Sequence, residues 1–140
     1  MLEYRPNNRI YVAGTFDCLH SGHINLFQYA KSFGQVIVSL NTDEFATQYK
    51  RQPLMPLKER IVVVGTNKFV DEVIINKGGK DSKPAILQAK ATHILHGDDW
   101  TGESYLNQLD VTEDWLKENN IQVIYKPYTQ GVSTTKLRNL

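Results

Sequence analysis

The sequence has few of the features that mark a disulfide scaffold, a membrane protein or a nucleic-acid-binding protein. Its single cysteine, Cys18, excludes an intramolecular disulfide. Sixteen basic and fifteen acidic residues give a formal net charge of +1, so there is no general basic excess for binding nucleic acid. No long apolar run and no signal-like apolar segment is present. We therefore expect a cytoplasmic protein that binds neither nucleic acid nor a membrane.

The 140 residues do contain enough apolar side chains to build a core. Hydrophobic residues make up 41% of the chain and aromatic residues 10%, which excludes a disordered polymer, and neither repeats nor low-complexity segments occur. The length is typical of one domain, and we expect a single domain over residues 1–140.

Short apolar runs rich in β-branched residues alternate with helical patterns. The predicted strands are 10–13, 36–40, 72–75, 93–96 and 122–125, and the predicted helices are 23–32, 57–67, 84–91, 103–119 and 133–139. The fourth helix could break at residues 112–115, and residues 41–57 follow no regular pattern. The alternation predicts an α/β fold with a Rossmann-like, doubly wound, parallel five-stranded sheet and helices on both faces. Ligands bind such sheets at the carboxyl ends of the strands.

The segment GTFDCLHSGH (residues 14–23) joins the first predicted strand to the first helix. It places two imidazoles, His20 and His23, beside a helix N-terminus, where backbone N–H groups and the helix dipole favour an anion. Imidazoles add directional hydrogen-bond donors. The pattern predicts a phosphate site and phosphoryl or nucleotidyl transfer. Asp17 could orient a histidine or cap the turn, and Cys18 is interpreted as a small filler residue in preference to a nucleophile.

Three segments resemble signatures of one protein family. Residues 14–23 resemble the HxGH signature of the nucleotidyltransferase superfamily, and TQGVSTT (residues 129–135) is similar to the RTxGxSTT signature of its cytidylyltransferase branch. HGDDW (residues 96–100) resembles a segment of the glycerol-3-phosphate cytidylyltransferases, the closest members of that branch. These segments follow predicted strands one, four and five, so the topology would bring them to one edge of the sheet.

The resemblance implies transfer of CMP from CTP to a small phosphorylated alcohol, most closely glycerol-3-phosphate, with release of pyrophosphate. Attack is direct and in line, so catalysis rests on positioning and electrostatics. It also implies CTP as a ligand, Mg²⁺ carried by CTP, and a homodimer. Phosphoethanolamine, phosphocholine or a hydroxyalkylphosphonate remain alternative acceptors. An ATP-using adenylyltransferase, such as a flavin adenylyltransferase, and a nucleotide-binding regulator remain alternative functions.

The resemblance, read with the predicted strands, also implies a set of site residues. The predicted catalytic residues are His20, His23, a lid cation at Lys50 or Arg51, Ser133 and Thr134. The predicted nucleotide-binding residues are Gly14, Thr15, Phe16, Asp17, Gly22, His96, Gly97, Asp98, Asp99, Tyr128, Gly131, Val132, Ser133 and Thr134. The predicted acceptor-binding residues are Lys77, Lys80 and Trp100.

Several of these assignments keep alternatives. The pair Asp98 and Asp99 could shape the nucleotide pocket or coordinate the Mg²⁺ of CTP, and we expect no separate protein metal site. Trp100 could pack near the base, the acceptor or the core. Tyr128 occupies the position of an arginine in the family signature, and tyrosine cannot supply a bidentate cationic fork. Either another cation such as Lys126 compensates, or the nucleotide is held differently.

Overall fold

A computed structural model describes residues 3–49, 51–97, 106 and 108–126, and within them a parallel five-stranded sheet. The strands are β1 (Arg9–Gly14), β2 (Gln35–Asn41), β3 (Glu72–Asn76), β4 (His93–Gly97) and β5 (Gln122–Lys126). Their spatial order is β3-β2-β1-β4-β5, with every neighbouring pair parallel. The order reverses at β1, as in a Rossmann-like sheet, and the predicted fold class is confirmed.

Alternating side chains of the central strands fill two cores, one on each face of the sheet. On one face Tyr11 and Ile37 pack in the same cluster as Ile86. On the other, Val12 packs in the cluster that contains Phe27. Both faces of a central parallel strand are buried, which explains why β1 and β2 read as nearly continuous apolar runs.

The described helices connect these strands. They are α1 (Ser21–Lys31), α2 (Asp43–Tyr49), α3 (Leu57–Gly65), α4 (Lys83–Gln88) and α5 (Glu113–Glu118). None of the helices in the described part of the chain is long and apolar enough to cross a membrane. The predicted helix over 133–139 lies outside the described residues.

The prediction of an irregular segment over residues 41–57 was wrong for its first half, which forms α2. The backbone N–H of Phe45 donates to Thr42 Oγ1 at 3.2 Å, and Asp43 and Glu44 lie in the first turn. A threonine cap followed by two carboxylates is a helix start signal in its own right. Residues 51–56, by contrast, form a loop.

The predicted break in the helix over 103–119 is confirmed. Asp110 has a positive φ of 60°, and Thr112 adopts an extended backbone conformation that begins α5. The Thr112 hydroxyl accepts a hydrogen bond from the Trp115 N–H at 3.1 Å, which satisfies one unpaired donor of the new helix. Leu106 and Leu109, before the break, pack into the same core as Leu116.

Candidate active site

Two histidines cap the helix that follows β1. His20 is the N-cap of α1, and its Nδ1 accepts a hydrogen bond from the Gly22 N–H at 3.0 Å. His23, three residues later, returns the bond, because its Nδ1 accepts from the His20 N–H at 3.2 Å. This is the reciprocal geometry of a capping box, made here with imidazoles where a hydroxyl and a carboxylate are usual.

These bonds decide which ring nitrogens carry protons. An Nδ1 that accepts from a backbone N–H is unprotonated, so each neutral ring carries its hydrogen on Nε2. Burial lowers the pKa of His23 to about 4, with a further lowering by His20 and an opposing effect of Asp17. Burial also lowers the pKa of His20. Both imidazoles are therefore neutral at pH 7, and each presents one N–H donor away from the helix.

Packing fixes the orientation of these donors. The His20 and His23 rings stack with centroids 3.8 Å apart and planes at 24°. The Phe16 ring meets His23 edge to face at 5.3 Å and also packs against Phe27. A Cβ at Gly14 would lie 2.9 Å from the Phe16 ring, so glycine makes room for it. The two imidazoles thus rest on an aromatic support from the core.

The turn between β1 and α1 is held in an uncommon backbone conformation. Phe16 and Cys18 have positive φ values of 51° and 55°, a region that residues with a side chain seldom adopt. Such conformations persist only where the surroundings impose them, and they concentrate at functional sites. Cys18 Sγ lies 3.8 Å from Asp17 Oδ1, which agrees with a small packed residue in the turn.

Asp17 connects this turn to the loop before α3. Its buried carboxylate accepts hydrogen bonds from the backbone N–H groups of Leu54 and Met55, at 2.8 and 2.9 Å. The interpretation of Asp17 as a residue that orients a histidine or caps its own turn missed this contact. Asp17 anchors residues 54–55 beside the two histidines, and thereby limits where the preceding Arg51 can reach.

Arg60 was not predicted as a site residue, yet it is fully buried in α3 and bonds to four separate segments. Its guanidinium donates to the carbonyl oxygens of Thr15, Asn41 and Met55 at 2.9, 2.9 and 3.0 Å, and pairs with Asp43 at 2.6 Å. Its position in the helix indicates this burial. Residue 60 lies one helical turn from Leu57 and from Val64, on the face of α3 that packs against the sheet. A buried arginine requires such partners, because an unpaired buried charge is costly.

A small cavity of about 50 Å³ opens beside the turn, at the carboxyl ends of the strands. Residues lining it are Ala13, Gly14, Asn41, Phe45, Asn76, Gly79, Ser82, His96, Gln108 and Leu109. Asn41 Nδ2 donates to Thr15 Oγ1 at 3.1 Å, so this cavity is hydrogen-bonded to the histidine turn. The two asparagines were also missed, although each ends a strand where ligands bind in this fold.

The structure thus brings one part of the predicted site together. The residues that meet around the turn and cavity are Gly14, Thr15, Phe16, Asp17, His20, Gly22, His23 and His96, with Gly97 at the end of β4. Arg51 is exposed in the loop before α3, and Lys77 and Lys80 are exposed after β3. The predicted residues Lys50, Asp98, Asp99, Trp100, Tyr128, Gly131, Val132, Ser133 and Thr134 lie outside the described residues.

The described residues offer no ready-made metal centre. No group of three or more His, Cys, Asp or Glu side chains within them could hold a metal ion. Asp17, the buried carboxylate of the turn, is engaged by two backbone donors. Magnesium prefers carboxylate, phosphate and water oxygens. The residues predicted to coordinate Mg²⁺, Asp98 and Asp99, lie outside the described residues.

A doubly wound parallel sheet with two neutral imidazoles capping the helix that follows β1 is typical of a protein that binds nucleotide phosphates. Residues 11–140 match the cytidylyltransferase-like family. The chain belongs to that family, and it is a nucleotidyltransferase.

Two relatives and one solved structure illustrate the similarity. A glycerol-3-phosphate cytidylyltransferase of Bacillus subtilis (strain 168) is 35% identical over 93% of this chain and 94% of its own. An FAD synthase of Korarchaeum cryptofilum (strain OPF8) is 33% identical over 85% of this chain and 81% of its own. The lipopolysaccharide core biosynthesis protein from Thermoplasma volcanium GSS1 has the same fold, with a TM-score of 0.72, 24% identity and coverage of 89% and 98% of the two chains.

Proposed function

We propose that this protein transfers CMP from CTP to glycerol-3-phosphate, producing CDP-glycerol and pyrophosphate. The observation that carries the proposal is the reciprocal histidine cap, which supplies two oriented, uncharged N–H donors at a helix N-terminus. The similarity to glycerol-3-phosphate cytidylyltransferases, which extends over 93% of the chain, supports CTP and glycerol-3-phosphate as the substrates.

The reaction is a direct displacement at phosphorus. An oxygen of the acceptor phosphate bonds to the α-phosphorus of CTP, the bond to the bridging α–β oxygen breaks, and pyrophosphate leaves with that electron pair. Negative charge grows on the leaving group and redistributes over the phosphoryl oxygens. The Nε2–H groups of His20 and His23 donate to those oxygens, and the packed rings need not reorganise during the reaction. Being neutral, both rings stabilise charge without exchanging a proton.

The other phosphate contacts in this proposal come from predicted residues. A cation at Lys50 or Arg51, on the segment anchored through Asp17, closes over the triphosphate. The hydroxyls of Ser133 and Thr134 hold its outer phosphates, and Tyr128 contacts the nucleotide in place of the family arginine. The Mg²⁺ ion brought by CTP would neutralise part of the triphosphate charge, with Asp98 and Asp99 as candidate ligands. Lys77 and Lys80 attract the acceptor phosphate.

The direct test is the rate of pyrophosphate release over a matrix of nucleotides and acceptors. We expect CTP with glycerol-3-phosphate to give the highest kcat/KM among CTP, UTP, ATP and GTP, each paired with glycerol-3-phosphate, phosphoethanolamine, phosphocholine and 2-hydroxyethylphosphonate. CDP-glycerol should be the isolated product. No pyrophosphate release above that of the His20→Ala, His23→Ala double variant with any pair would overturn the proposal.

A second candidate is an ATP-using adenylyltransferase. The observation that favours it is the 33% identity to an FAD synthase over 85% of the chain. The same matrix, extended by ATP with FMN, separates the two functions. FAD formation faster than CDP-glycerol formation would replace the first proposal.

Two further properties belong to this proposal. A reaction that consumes CTP and a phosphorylated metabolite fits the cytoplasm, where both are available. The resemblance to cytidylyltransferases also suggests a homodimer, which light scattering at several protein concentrations would detect.

A further inference from the structure

The cavity beside the histidine turn lies where the sheet changes from apolar to polar side chains. Along β2, side chains on one face run Ile37, Ser39, Asn41, and along β3 they run Ile74, Asn76. Ile37 belongs to the apolar core, whereas Asn41 and Asn76 line the cavity. All of these positions are buried or nearly so. Buried polar groups at such sites form hydrogen bonds with one another or with a partner from outside the protein, such as water or a ligand.

Asn76 leaves one buried hydrogen-bond acceptor without a partner. Its Nδ2 donates to the Gly79 carbonyl oxygen at 2.9 Å and lies 3.4 Å from Asn41 Oδ1. The contact with a carbonyl oxygen fixes which end of the amide is the nitrogen. Oδ1 has no hydrogen-bond partner in the described part of the protein, although the side chain is only 3% exposed.

Two buried hydroxyl groups, those of Tyr11 and Ser39, lie deeper on the same face of the sheet. Tyr11 is fully buried, and neither its hydroxyl nor that of Ser39 has a hydrogen bond of good geometry within the described residues. The two hydroxyls nevertheless lie close to each other and to Ser82. Burial raises the pKa of Tyr11 to about 12, so the group stays a neutral hydroxyl. The Tyr11 hydroxyl beside Ser82, which lines the cavity, is therefore polar but uncharged.

The described lining also lacks the groups that recognise a cation. It contains amides, a hydroxyl, backbone and an imidazole, with no carboxylate and with Phe45 as its one phenyl ring. A quaternary ammonium group is typically held by a cage of aromatic rings, and burying any ammonium charge without a carboxylate partner is costly. A cavity of about 50 Å³ has room for a few hydroxyl-sized groups. Its size and chemistry fit the end of a short polyol.

We propose that this cavity, which we call the amide pocket and define by Asn41, Asn76, Gly79 and Ser82, binds the free hydroxyl groups of the phosphorylated acceptor. Asn76 Oδ1 accepts a hydrogen bond from an acceptor hydroxyl and so selects polyol phosphates over amino-alcohol phosphates. The inference rests on the proposed function. Asn41 Nδ2 donates a hydrogen bond to Thr15 Oγ1 at 3.1 Å. The pocket that holds the acceptor hydroxyl is therefore hydrogen-bonded to the turn that positions the imidazoles.

The test removes the two partners of this hydrogen bond separately and together. Wild type, Asn76→Leu and Asn76→Asp are assayed with CTP and either glycerol-3-phosphate or its deoxy analogues, the monophosphates of 1,2- and 1,3-propanediol. We expect loss of one acceptor hydroxyl to lower kcat/KM of the wild type about tenfold, the size of one hydrogen bond. In Asn76→Leu the same deoxy analogue should cost less than about twofold, because the partner is already gone.

The aspartate variant tests selectivity with nearly unchanged side-chain shape. A carboxylate at position 76 should shift the kcat/KM ratio of phosphoethanolamine to glycerol-3-phosphate upward by about tenfold. KM for CTP should stay within about twofold in all variants, which also shows that they are folded. The matched control is Asn119→Leu, since Asn119 is an exposed amide after α5 that bonds only locally to Trp115, and it should behave as the wild type in every assay.

The outcomes separate this inference from the proposed function. Equal losses for the deoxy analogues in wild type and in Asn76→Leu would place the hydroxyl contacts elsewhere and overturn the pocket alone. A wild-type preference for phosphoethanolamine or phosphocholine would also overturn it, while leaving cytidylyl transfer intact. A wild type that releases no pyrophosphate from CTP with any acceptor would remove the proposed function and the inference together.

Discussion

Two arginines hold the two ends of the same sheet, and they do so in different ways. At the amino end, Arg9 bonds to Gln35, Glu72 and the Ala89 carbonyl at 3.0, 2.6 and 2.7 Å, with its side chain 20% exposed. At the carboxyl end, Arg60 is fully buried and bonds mainly to carbonyl oxygens of loops and strand ends. The first arginine joins regular elements, whereas the second fixes the irregular backbone of the site.

The backbone shows the same contrast. Lys90 and Asn120 have positive φ values directly after α4 and α5, at the amino edge of the sheet, where such residues commonly terminate helices. Phe16 and Cys18 at the carboxyl edge have positive φ values in a turn that starts a helix. Asn76 Oδ1, a buried acceptor with no partner among the described residues, also lies at this edge. The positive φ values at the amino edge thus belong to ordinary helix ends, whereas those at the carboxyl edge belong to the turn that we propose binds the nucleotide phosphates.

Replacing each arginine by methionine should give the clearest difference in stability between the two edges of the sheet. Arg60→Met leaves three carbonyl oxygens and Asp43 without their donor, and we expect a loss of about 3 kcal/mol in the free energy of unfolding. Arg9→Met, at a partly exposed site, should cost about 1 kcal/mol. Denaturant unfolding of both variants measures the difference, and equal losses would remove the distinction between the two edges.

Substitution of His23 should affect catalysis more than binding. His23→Ala removes one preorganised donor, and we expect kcat to fall about a hundredfold or more, as for the loss of an oxyanion donor. The dissociation constant of CTP should change much less, because the donor acts on charge that develops during the reaction. Steady-state kinetics and CTP titration measure the two quantities. Near wild-type turnover would refute the assignment.

Replacing the predicted lid cation at the carboxyl edge should lower activity and leave stability nearly unchanged. Alanine at the lid cation, either Lys50 or Arg51, should lower kcat/KM about tenfold to a hundredfold, the range of a charged hydrogen bond. The exposed Arg51 should affect the free energy of unfolding by less than about 0.5 kcal/mol when replaced. Kinetics and thermal unfolding of the two single variants decide between them. Full activity in both would leave residues 51–56 as a surface loop.

A further effect is expected on the pH dependence of stability. His23 has a pKa of about 4 in the folded protein and about 6.5 when unfolded, so between these values the unfolded chain binds the extra proton. The free energy of unfolding should therefore decrease as the pH falls from about 6.5 towards 4. Denaturant unfolding at several pH values should show a shallower decrease in His23→Ala. An identical slope in both proteins would contradict the low pKa of this ring.

The sequence made the parallel strands and the histidine turn predictable, because each depends on local patterns. Apolar β-branched runs indicated all five strands to within two residues at each end, and the order of glycine, aspartate and two histidines indicated an anion site. The helix α2 could also have been found, since Thr42, Asp43 and Glu44 form a start signal.

The contacts between distant segments could not be predicted in this way. Asp17 bonds to the backbone of Leu54 and Met55, and backbone groups leave no trace in the sequence. In the sequence, Arg60 is one of several charged residues of α3. Its burial and its partners become evident only when α3 packs against the sheet. The amide pocket needs the ends of β2 and β3 side by side, and only the strand order brings Asn41 to Asn76.

The reciprocal histidine cap has a consequence for how the helix reaches its ligand. Each imidazole takes a backbone N–H on one nitrogen and presents an N–H of its own on the other. The ring is polarised by the donor behind it, so the positive end of α1 is extended outward by the width of an imidazole. A lysine at either position would bring charge but could accept nothing from the backbone. The neutral rings therefore carry the partial positive charge of the helix N-terminus to two N–H groups that lie beyond the backbone.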